Sequence, residues 1–308
     1  MKKTVKFISV VMSVVMLFCC ACVNVSAADA LYETPYENSQ WFTSGDYTLH
    51  YRTIEPDGNC VGQIMLLHGF GMSGASMAYM ADYYVEAGYK CVLVDLPNHG
   101  YSTRETAKMQ LVARETLVEQ LMAELGGTWI LGGHSMGGGV AVNVAVNNPE
   151  TVTALMLYCP QTSMAVEPPM DAFMRSFIMT GMFETIISVG TRIGFIMDIV
   201  VDFAMQDDEY VASYDATEIV APLHIKGTGA GLAVMSSHAM GPDYEMISAM
   251  ETPVLVVKGD ADNIADENNL NSLCEALTDE QSVVISGGHM IIQTKVEEVA
   301  QATLDFLA

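Results

Sequence analysis

Residues 133–137 read Gly-His-Ser-Met-Gly, a G-x-S-x-G pattern centred on Ser135. The apolar run 129–131 precedes this pattern, and a helical pattern at 136–147 follows it. Between a strand and a helix, the pattern is typical of a serine lifted on a sharp turn, with glycines where the two elements approach closely. The segment therefore predicts a nucleophilic serine at the carboxyl end of a buried strand.

The rest of the chain repeats the alternation of strand and helix around this motif. Short apolar runs that alternate with helical patterns are typical of parallel strands buried on both faces. They predict an α/β fold, a mostly parallel sheet with helices on both faces, and residues 47–51 add an antiparallel edge strand. The apolar runs are 63–67, 91–96, 129–131, 154–158, 254–257 and 283–285, and the helical patterns are 73–87, 105–125, 136–147, 267–277 and 296–306.

The alternation stops between residues 161 and 250, a segment that holds 11 of the 23 methionines. Its near-continuous apolar stretch 176–205 is interrupted by charged residues, which argues against a transmembrane hairpin. We expect a helical cap inserted after the sixth strand. The predicted organisation is a signal peptide at 1–27, a core at 28–160 and 251–308, and a cap at 161–250.

The amino terminus has the pattern of a secretory signal peptide. Three lysines precede an apolar run, and small residues ending at Ala27 offer a cleavage site. The apolar run is shorter than the roughly 20 residues that span a bilayer, which disfavours a retained anchor. We expect a secreted or extracytoplasmic protein without an integral membrane span after cleavage, and a lipid anchor on Cys20 is the alternative.

The net charge and the cysteine spacing argue against nucleic-acid binding, a metal site and a disulfide framework. The chain has 37 acidic and 13 basic residues, a net charge of −24 that repels nucleic acid. The cysteines beyond the signal peptide, Cys60, Cys91, Cys159 and Cys274, show neither C-x-x-C nor Cys/His metal spacing. We predict no metal site and no disulfide framework.

A serine nucleophile needs a base and a group that orients the base. His289 lies on a glycine-flanked loop after the run 283–285, and Asp260 and Asp262 follow the run 254–257. Both loops lie at strand carboxyl ends, where open α/β sheets place their sites. We predict the catalytic residues Ser135, Asp262 and His289, and favour Asp262 over Asp260 because it lies farther along its loop.

An oxyanion hole requires two backbone N–H groups near the serine. Met136 directly follows the nucleophile, and Phe70 lies in the glycine-rich turn after the run 63–67. These two residues are the predicted oxyanion donors. Among the other histidines, we expect His68, His99 and His134 to brace backbone, and His50, His224 and His238 to lie at the surface or in the cap.

Five motifs in this order resemble the α/β-hydrolase fold superfamily. They are His68-Gly69-Phe70-Gly71, Asp95-Leu96-Pro97-Asn98-His99-Gly100-Tyr101-Ser102, Gly133-His134-Ser135-Met136-Gly137-Gly138, Gly259-Asp260-Ala261-Asp262 and Gly288-His289. The third motif resembles the branch of monoglyceride lipases and serine aminopeptidases. Asn98 departs from that family's pattern, which usually has glycine there.

The motifs and the resemblance predict acyl transfer through Ser135, a reaction that needs no metal or cofactor. The Met-rich cap favours a small-molecule ester substrate with an apolar acyl chain. A peptidase would use cap carboxylates such as Asp207, Asp208 and Glu209 to hold a substrate ammonium group. A hydrophobic-ligand binder on the same fold is the alternative from another class, and the oligomeric state stays open.

Overall fold

An eight-stranded sheet forms the centre of the protein in the computed structural model, which describes residues 33–163, 170–237, 241, 243–278 and 280–308. The predicted signal peptide at 1–27, with Cys20, lies outside the described residues, as does His238. In the described part of the chain, no helix combines the length and the apolar character that a membrane crossing requires.

The sheet confirms the predicted α/β class. Its strand order is β1-β2-β4-β3-β5-β6-β7-β8, and the pairs from β4 through β8 are parallel. The strands are β1 (Ser39–Ser44), β2 (Tyr47–Ile54), β3 (Gly62–Leu67), β4 (Tyr89–Val94), β5 (Trp129–His134), β6 (Val152–Tyr158), β7 (Val254–Gly259) and β8 (Glu280–Ile285).

One strand expectation is wrong. Residues 47–51 belong to β2, which is not an edge strand, because β1 pairs antiparallel with its outer side. The sequence of β1 is Ser-Gln-Trp-Phe-Thr-Ser, mostly polar and half-buried, so it lacks the apolar run that marks a buried strand.

Helices follow most strands. They are α1 (Ala78–Glu86), α2 (Arg114–Leu125), α3 (Met136–Asn147), α4 (Met170–Met174), α5 (Phe177–Gly190), α6 (Gly194–Met205), α7 (Asp208–Val211), α8 (Thr217–Val220), α9 (Thr228–Met235), α10 (Tyr244–Ser248), α11 (Glu267–Ala276), α12 (Ile291–Thr294) and α13 (Val296–Leu307). Short 3₁₀ turns occupy Gly74–Met77 and Ala221–His224.

The helix expected at 105–125 begins only at Arg114. Buried hydrogen bonds hold the preceding residues in another conformation. The Glu105 backbone N–H donates to Asn98 Oδ1 at 2.7 Å, and the Glu105 carboxylate accepts from Tyr47 Oη at 2.8 Å. Tertiary contacts thus override the helix preference of this segment.

Two apolar clusters cover the two faces of the sheet. One contains Leu117 of α2 and Val140 of α3, and the other contains Met80 of α1 and Val299 of α13. Because both faces are covered, the central strands are apolar on both sides, which explains their continuous hydrophobic sequence.

Helices α4 to α10 lie between β6 and β7, where the cap was expected. Glu184 of α5 is buried and accepts hydrogen bonds from the N–H groups of Gly227 and Ala230 at 2.8 and 3.1 Å. Arg104 of the core donates to Thr228 Oγ1 at 2.8 Å and to the Pro222 carbonyl at 3.1 Å. These bonds fix α9 both to α5 and to the core.

His50 is buried in β2, so the expectation that it lies at the surface is wrong. Its Nδ1 lies 2.7 Å from Asp95 Oδ2, which also accepts from the Tyr101 N–H at 2.8 Å. Asp95 Oδ1 accepts from the Gly74 N–H at 2.7 Å. Burial acts to raise the pKa of Asp95, but the hydrogen bonds and charge of His50 outweigh it and lower the pKa to about 2.

Candidate active site

Ser135 occupies the turn between β5 and α3 in a strained backbone conformation, with φ 50° and ψ −120°. Its N–H donates to the Tyr158 carbonyl at 3.0 Å, and its carbonyl accepts from the Gln161 N–H at 2.9 Å. The end of β6 and the segment after it thereby hold the turn in place. Strain of this kind, when the surrounding structure maintains it, is a feature of functional sites.

The two glycines of the motif are sterically required. A Cβ on Gly133 would lie 2.4 Å from the Gly137 carbonyl oxygen, and a Cβ on Gly137 would lie 2.3 Å from the Leu67 carbonyl oxygen. Any side chain at these positions would push β5, α3 and the end of β3 apart. The G-x-S-x-G spacing therefore follows from the close approach of the three elements.

His289 and Asp262 form a hydrogen-bonded pair, with Nδ1 and Oδ2 2.8 Å apart. Asp262 follows β7 and His289 follows β8, so two neighbouring strands bring the residues together. Burial acts to raise the pKa of Asp262, but the hydrogen bond and charge of His289, and the Ile264 and Ala265 N–H groups, lower it to about 2. A charged Asp262 accepts a hydrogen bond from the Nδ1–H of His289, which leaves Nε2 as the ring nitrogen that can accept a proton.

Asp260 has a different position from Asp262. Its Oδ1 accepts from the Gly287 N–H at 3.0 Å, and the neighbouring Ala261 N–H donates to the Gly287 carbonyl at 3.0 Å. Asp260 and Ala261 thus connect the loop after β7 to the main chain of Gly287, which lies two residues before His289.

Two side chains hold the backbone of His289, one on each side of its Cα. His134 Nε2 lies 3.0 Å from the His289 carbonyl oxygen, and the His289 N–H donates to Gln206 Oε1 at 3.3 Å. Burial, with a smaller effect of His289, lowers the pKa of His134 to about 3, so His134 is neutral and donates from Nε2. Gln206 is not among the residues predicted from the sequence, because a glutamine after an apolar helix carries no recognisable signal.

The predicted oxyanion donors lie beside Ser135. Met136 is the first residue of α3, so its N–H has no acceptor within the helix. A Cβ on Gly69 would lie 3.1 Å from the Ser135 Cβ, which places the turn containing Phe70 directly against the serine. His68 braces this turn, since its Nε2 accepts from the Leu96 N–H at 3.0 Å and its Nδ1 donates to the Gly69 carbonyl at 2.7 Å.

Ser135, His289 and Phe70 line one cavity of about 860 Å³, and Asp262 lies behind His289. Helices α5 and α6 supply much of the apolar wall, and Phe177 and Phe195 at its rim are each 66% exposed. Within the described parts of the chain, no aspartate, glutamate, lysine or arginine lines this cavity. The space in front of the serine is therefore suited to an uncharged, apolar group.

Cys159 lies behind the His289–Asp262 pair. Its Sγ, an Asp262 oxygen and a His289 ring nitrogen lie within 4.8 Å of one another, so their residue types and distances allow a metal ion. His289 Nδ1 is already bonded to Asp262, and burial raises the pKa of the Cys159 thiol, which keeps it protonated. The arrangement therefore favours a hydrogen-bonded pair over a metal centre.

Comparison with known proteins identifies the fold family. A family model described as the alpha/beta hydrolase fold matches residues 63–296. The chain is similar to the magnesium-chelatase 30 kDa subunit of Rhodobacter capsulatus, with 26% identity over 255 residues that cover 79% of this chain and 86% of that protein.

Two esterases are also similar to the chain. The pimeloyl-[acyl-carrier protein] methyl ester esterase of Vibrio atlanticus is 34% identical over 107 residues, which cover 34% of this chain and 40% of that protein. The structure of a thermophilic esterase from Thermogutta terrifontis superimposes with a TM-score of 0.66 and 19% identity over 87% of this chain and 97% of that chain. The chain belongs to the alpha/beta hydrolase fold family, and its relatives include esterases.

Proposed function

We propose that the protein is a serine hydrolase that cleaves carboxylic esters through an acyl-enzyme on Ser135. The observation that carries this proposal is the placement of two features at one apolar cavity. A serine with strained backbone angles and a histidine bonded to a charged aspartate both face an uncharged, apolar space. The similarity to esterases supports the choice of ester substrates.

In the proposed reaction, His289 Nε2 accepts the proton of Ser135 Oγ while Oγ attacks the ester carbonyl carbon. The Met136 and Phe70 N–H groups bind the oxyanion, and His289 then gives its proton to the leaving alkoxide. Asp262 keeps the imidazole in the required tautomer and stabilises its protonated form. Water, deprotonated by His289, hydrolyses the acyl-enzyme and releases the carboxylic acid and Ser135.

The cavity supports an apolar acyl chain as the group bound in front of Ser135. Each methylene transferred from water to an apolar wall contributes about 0.8 kcal/mol. A volume of about 860 Å³ is enough for a medium or long chain. We therefore propose small-molecule esters with such chains as substrates.

The contacts of Asp207 argue against the peptidase alternative. Asp207 Oδ2 lies 3.4 Å from Lys295 Nζ, and Oδ1 accepts from the Tyr210 N–H at 3.0 Å. Both oxygens already have partners, and the described cavity wall contains no carboxylate that would hold a substrate ammonium group. A binder without turnover would not need a strained serine beside a histidine–aspartate pair.

Fluorophosphonate labelling and hydrolysis of p-nitrophenyl esters together test the proposal. We expect Ser135→Ala to abolish labelling and to lower kcat by at least about 10³-fold, because the triad acts as a unit. Ser248→Ala is the matched control, since Ser248 lies exposed on α10.

Three results would contradict the proposal or change the substrate class. A Ser135→Ala variant with near-normal turnover would rule out the mechanism. A labelled wild-type protein that hydrolyses aminoacyl anilides faster than any ester would favour the peptidase. A protein that neither reacts with the fluorophosphonate nor hydrolyses any substrate, but binds fatty acids, would favour the hydrophobic-ligand binder.

A further inference from the structure

We propose that Gln206, at the end of cap helix α6, is a positioning residue for His289. The proposal rests on the proposed function, in which His289 is the base. Gln206 directly follows Met205, the last residue of α6, and its side chain reaches the loop that carries His289. The cap would then have a role in the chemical step besides forming the cavity wall.

The contact between Gln206 and the histidine loop is close and specific. Gln206 Oε1 accepts the His289 N–H at 3.3 Å. A Cβ on Gly288 would lie 2.3 Å from Gln206 Oε1 and 2.8 Å from Gln206 Cβ. The glutamine side chain therefore occupies the space that a side chain at position 288 would need. Its Oε1 is the acceptor that orients the His289 N–H.

The backbone conformation of Gln206 indicates that its side chain has a use. Its φ of 53° and ψ of 33° lie in the left-handed region, which glycine usually occupies at the end of a helix. A residue with a Cβ is less favourable there than glycine. Glutamine lacks the conformational freedom of glycine at this position, but its side chain supplies the acceptor for the His289 N–H.

The residues on either side of Gln206 fix this point of the cap to the core. Met205 is buried in the same apolar cluster as Met290, the residue after His289. Asp207 Oδ2 lies 3.4 Å from Lys295 Nζ at the start of α13. Residues 205–207 thus hold the cap to the His289 loop by packing and a hydrogen bond, and to the start of α13 by an ion pair.

The link connects the substrate cavity to the base. Helix α6 lines the cavity with Phe195, Met197 and Val200, and the same helix ends at Gln206. His289 is held on its carbonyl side by His134 and on its N–H side by Gln206. Loss of the Gln206 acceptor would leave the His289 backbone held at its carbonyl but not at its N–H. Misplacement of a base lowers the rate of the chemical step more than it weakens substrate binding.

Substitutions that remove or keep the acceptor oxygen test this role. We expect Gln206→Met, similar in length without the oxygen, to lower kcat on p-nitrophenyl butyrate about tenfold, with KM changed less than about twofold. Gln206→Glu keeps Oε1 and should recover kcat to within about threefold of wild type. Gln301→Met is the matched control, because Gln301 is exposed on α13 and bonds only to Asp305 among the described contacts.

Gln206→Gly separates positioning from stability. Glycine suits the left-handed backbone, so this variant should keep or raise Tm while kcat falls as in Gln206→Met. A fall in kcat without a fall in Tm supports positioning. Full kcat in Gln206→Met or Gln206→Gly, or no recovery in Gln206→Glu, would overturn it.

Ser135→Ala in the same panel separates this inference from the proposed function. If Ser135→Ala keeps hydrolysis, the proposed function itself is wrong. If Ser135→Ala is inactive and Gln206→Met has wild-type kcat, only the positioning role is wrong.

Discussion

His134 Nε2 lies 3.0 Å from the carbonyl oxygen of His289, so the residue before Ser135 bonds to the main chain of the histidine that lines the same cavity. The two rings are 4.8 Å apart between centroids. Because burial lowers the pKa of His134 to about 3, this donor keeps its neutral form over the ordinary pH range. The strand that presents Ser135 thereby also sets the position of His289.

Replacing each of the two aspartates after β7 by asparagine should affect kcat differently. We expect Asp262→Asn to lower kcat about 10³–10⁴-fold, because an amide no longer selects the tautomer of His289. Asp260→Asn should lower kcat less than about tenfold, since an asparagine oxygen still accepts from the Gly287 N–H. Steady-state kinetics on one p-nitrophenyl ester measure both, and the opposite ranking would assign the acid role to Asp260.

Acyl chain length should determine the specificity of the proposed esterase. We expect kcat/KM of the wild type to rise from p-nitrophenyl acetate to octanoate, by up to about fourfold per methylene. Gly181 lines the cavity and has open space around its Cβ position, so Gly181→Leu should fill part of the cavity and shift the optimum to shorter chains. Gly194→Leu is the control, because Gly194 also has open space but is not among the lining residues. A wild-type kcat/KM that falls steadily from acetate would contradict the expected use of the cavity.

Asp95 should make the fold sensitive to acid. Its pKa in the folded protein is about 2, below the value of about 3.9 expected in the unfolded chain. Above about pH 4 this lowered pKa therefore adds about 2–3 kcal/mol to the free energy of unfolding. The contribution is lost as the pH falls towards 2. Asp95→Asn should be less stable than wild type at pH 7, with a smaller difference at pH 3.

Urea unfolding at pH 7 and pH 3 measures this dependence. Asp46→Asn, at an exposed turn between β1 and β2, serves as the control. A difference between wild type and Asp95→Asn that is equal at both pH values would show that the charge of Asp95 does not stabilise the fold.

From the amino-terminal pattern at residues 1–27 we propose that the protein is extracytoplasmic. Mass spectrometry of the protein from its native host should find a mature start near Ala28. A diacylglycerol group on Cys20 would support the lipid-anchored alternative. A cytoplasmic protein that retains Lys2 and Lys3 would contradict export.

The sequence predicts the central strands and the residues around Ser135 because both depend on local patterns. Six strands follow from apolar runs, and the turn follows from the spacing of Gly133 and Gly137. The apolar stretch 176–205 also divides near its glycines, with α5 ending at Gly190 and α6 beginning at Gly194.

Other features depend on contacts between distant segments and have no local signal. Asn98, where the resemblance leads one to expect glycine, has a positive φ of 70°, and its side chain bonds to Glu105 through both amide atoms. His50 is buried among the rings of Tyr36, Trp41 and Tyr101, which come from other segments of the chain. Gln206 meets His289 only in the folded chain, so no sequence pattern around it would have indicated the contact.

The uncharged cavity wall has a consequence for how the proposed catalytic cycle ends. Hydrolysis of an ester turns a neutral substrate into a carboxylate, and the described lining offers no lysine or arginine to retain that anion. A carboxylate in an apolar space without a partner is costly, and the net charge of −24 adds repulsion. The acid product should therefore leave readily and inhibit weakly, so turnover would continue as free fatty acid accumulates.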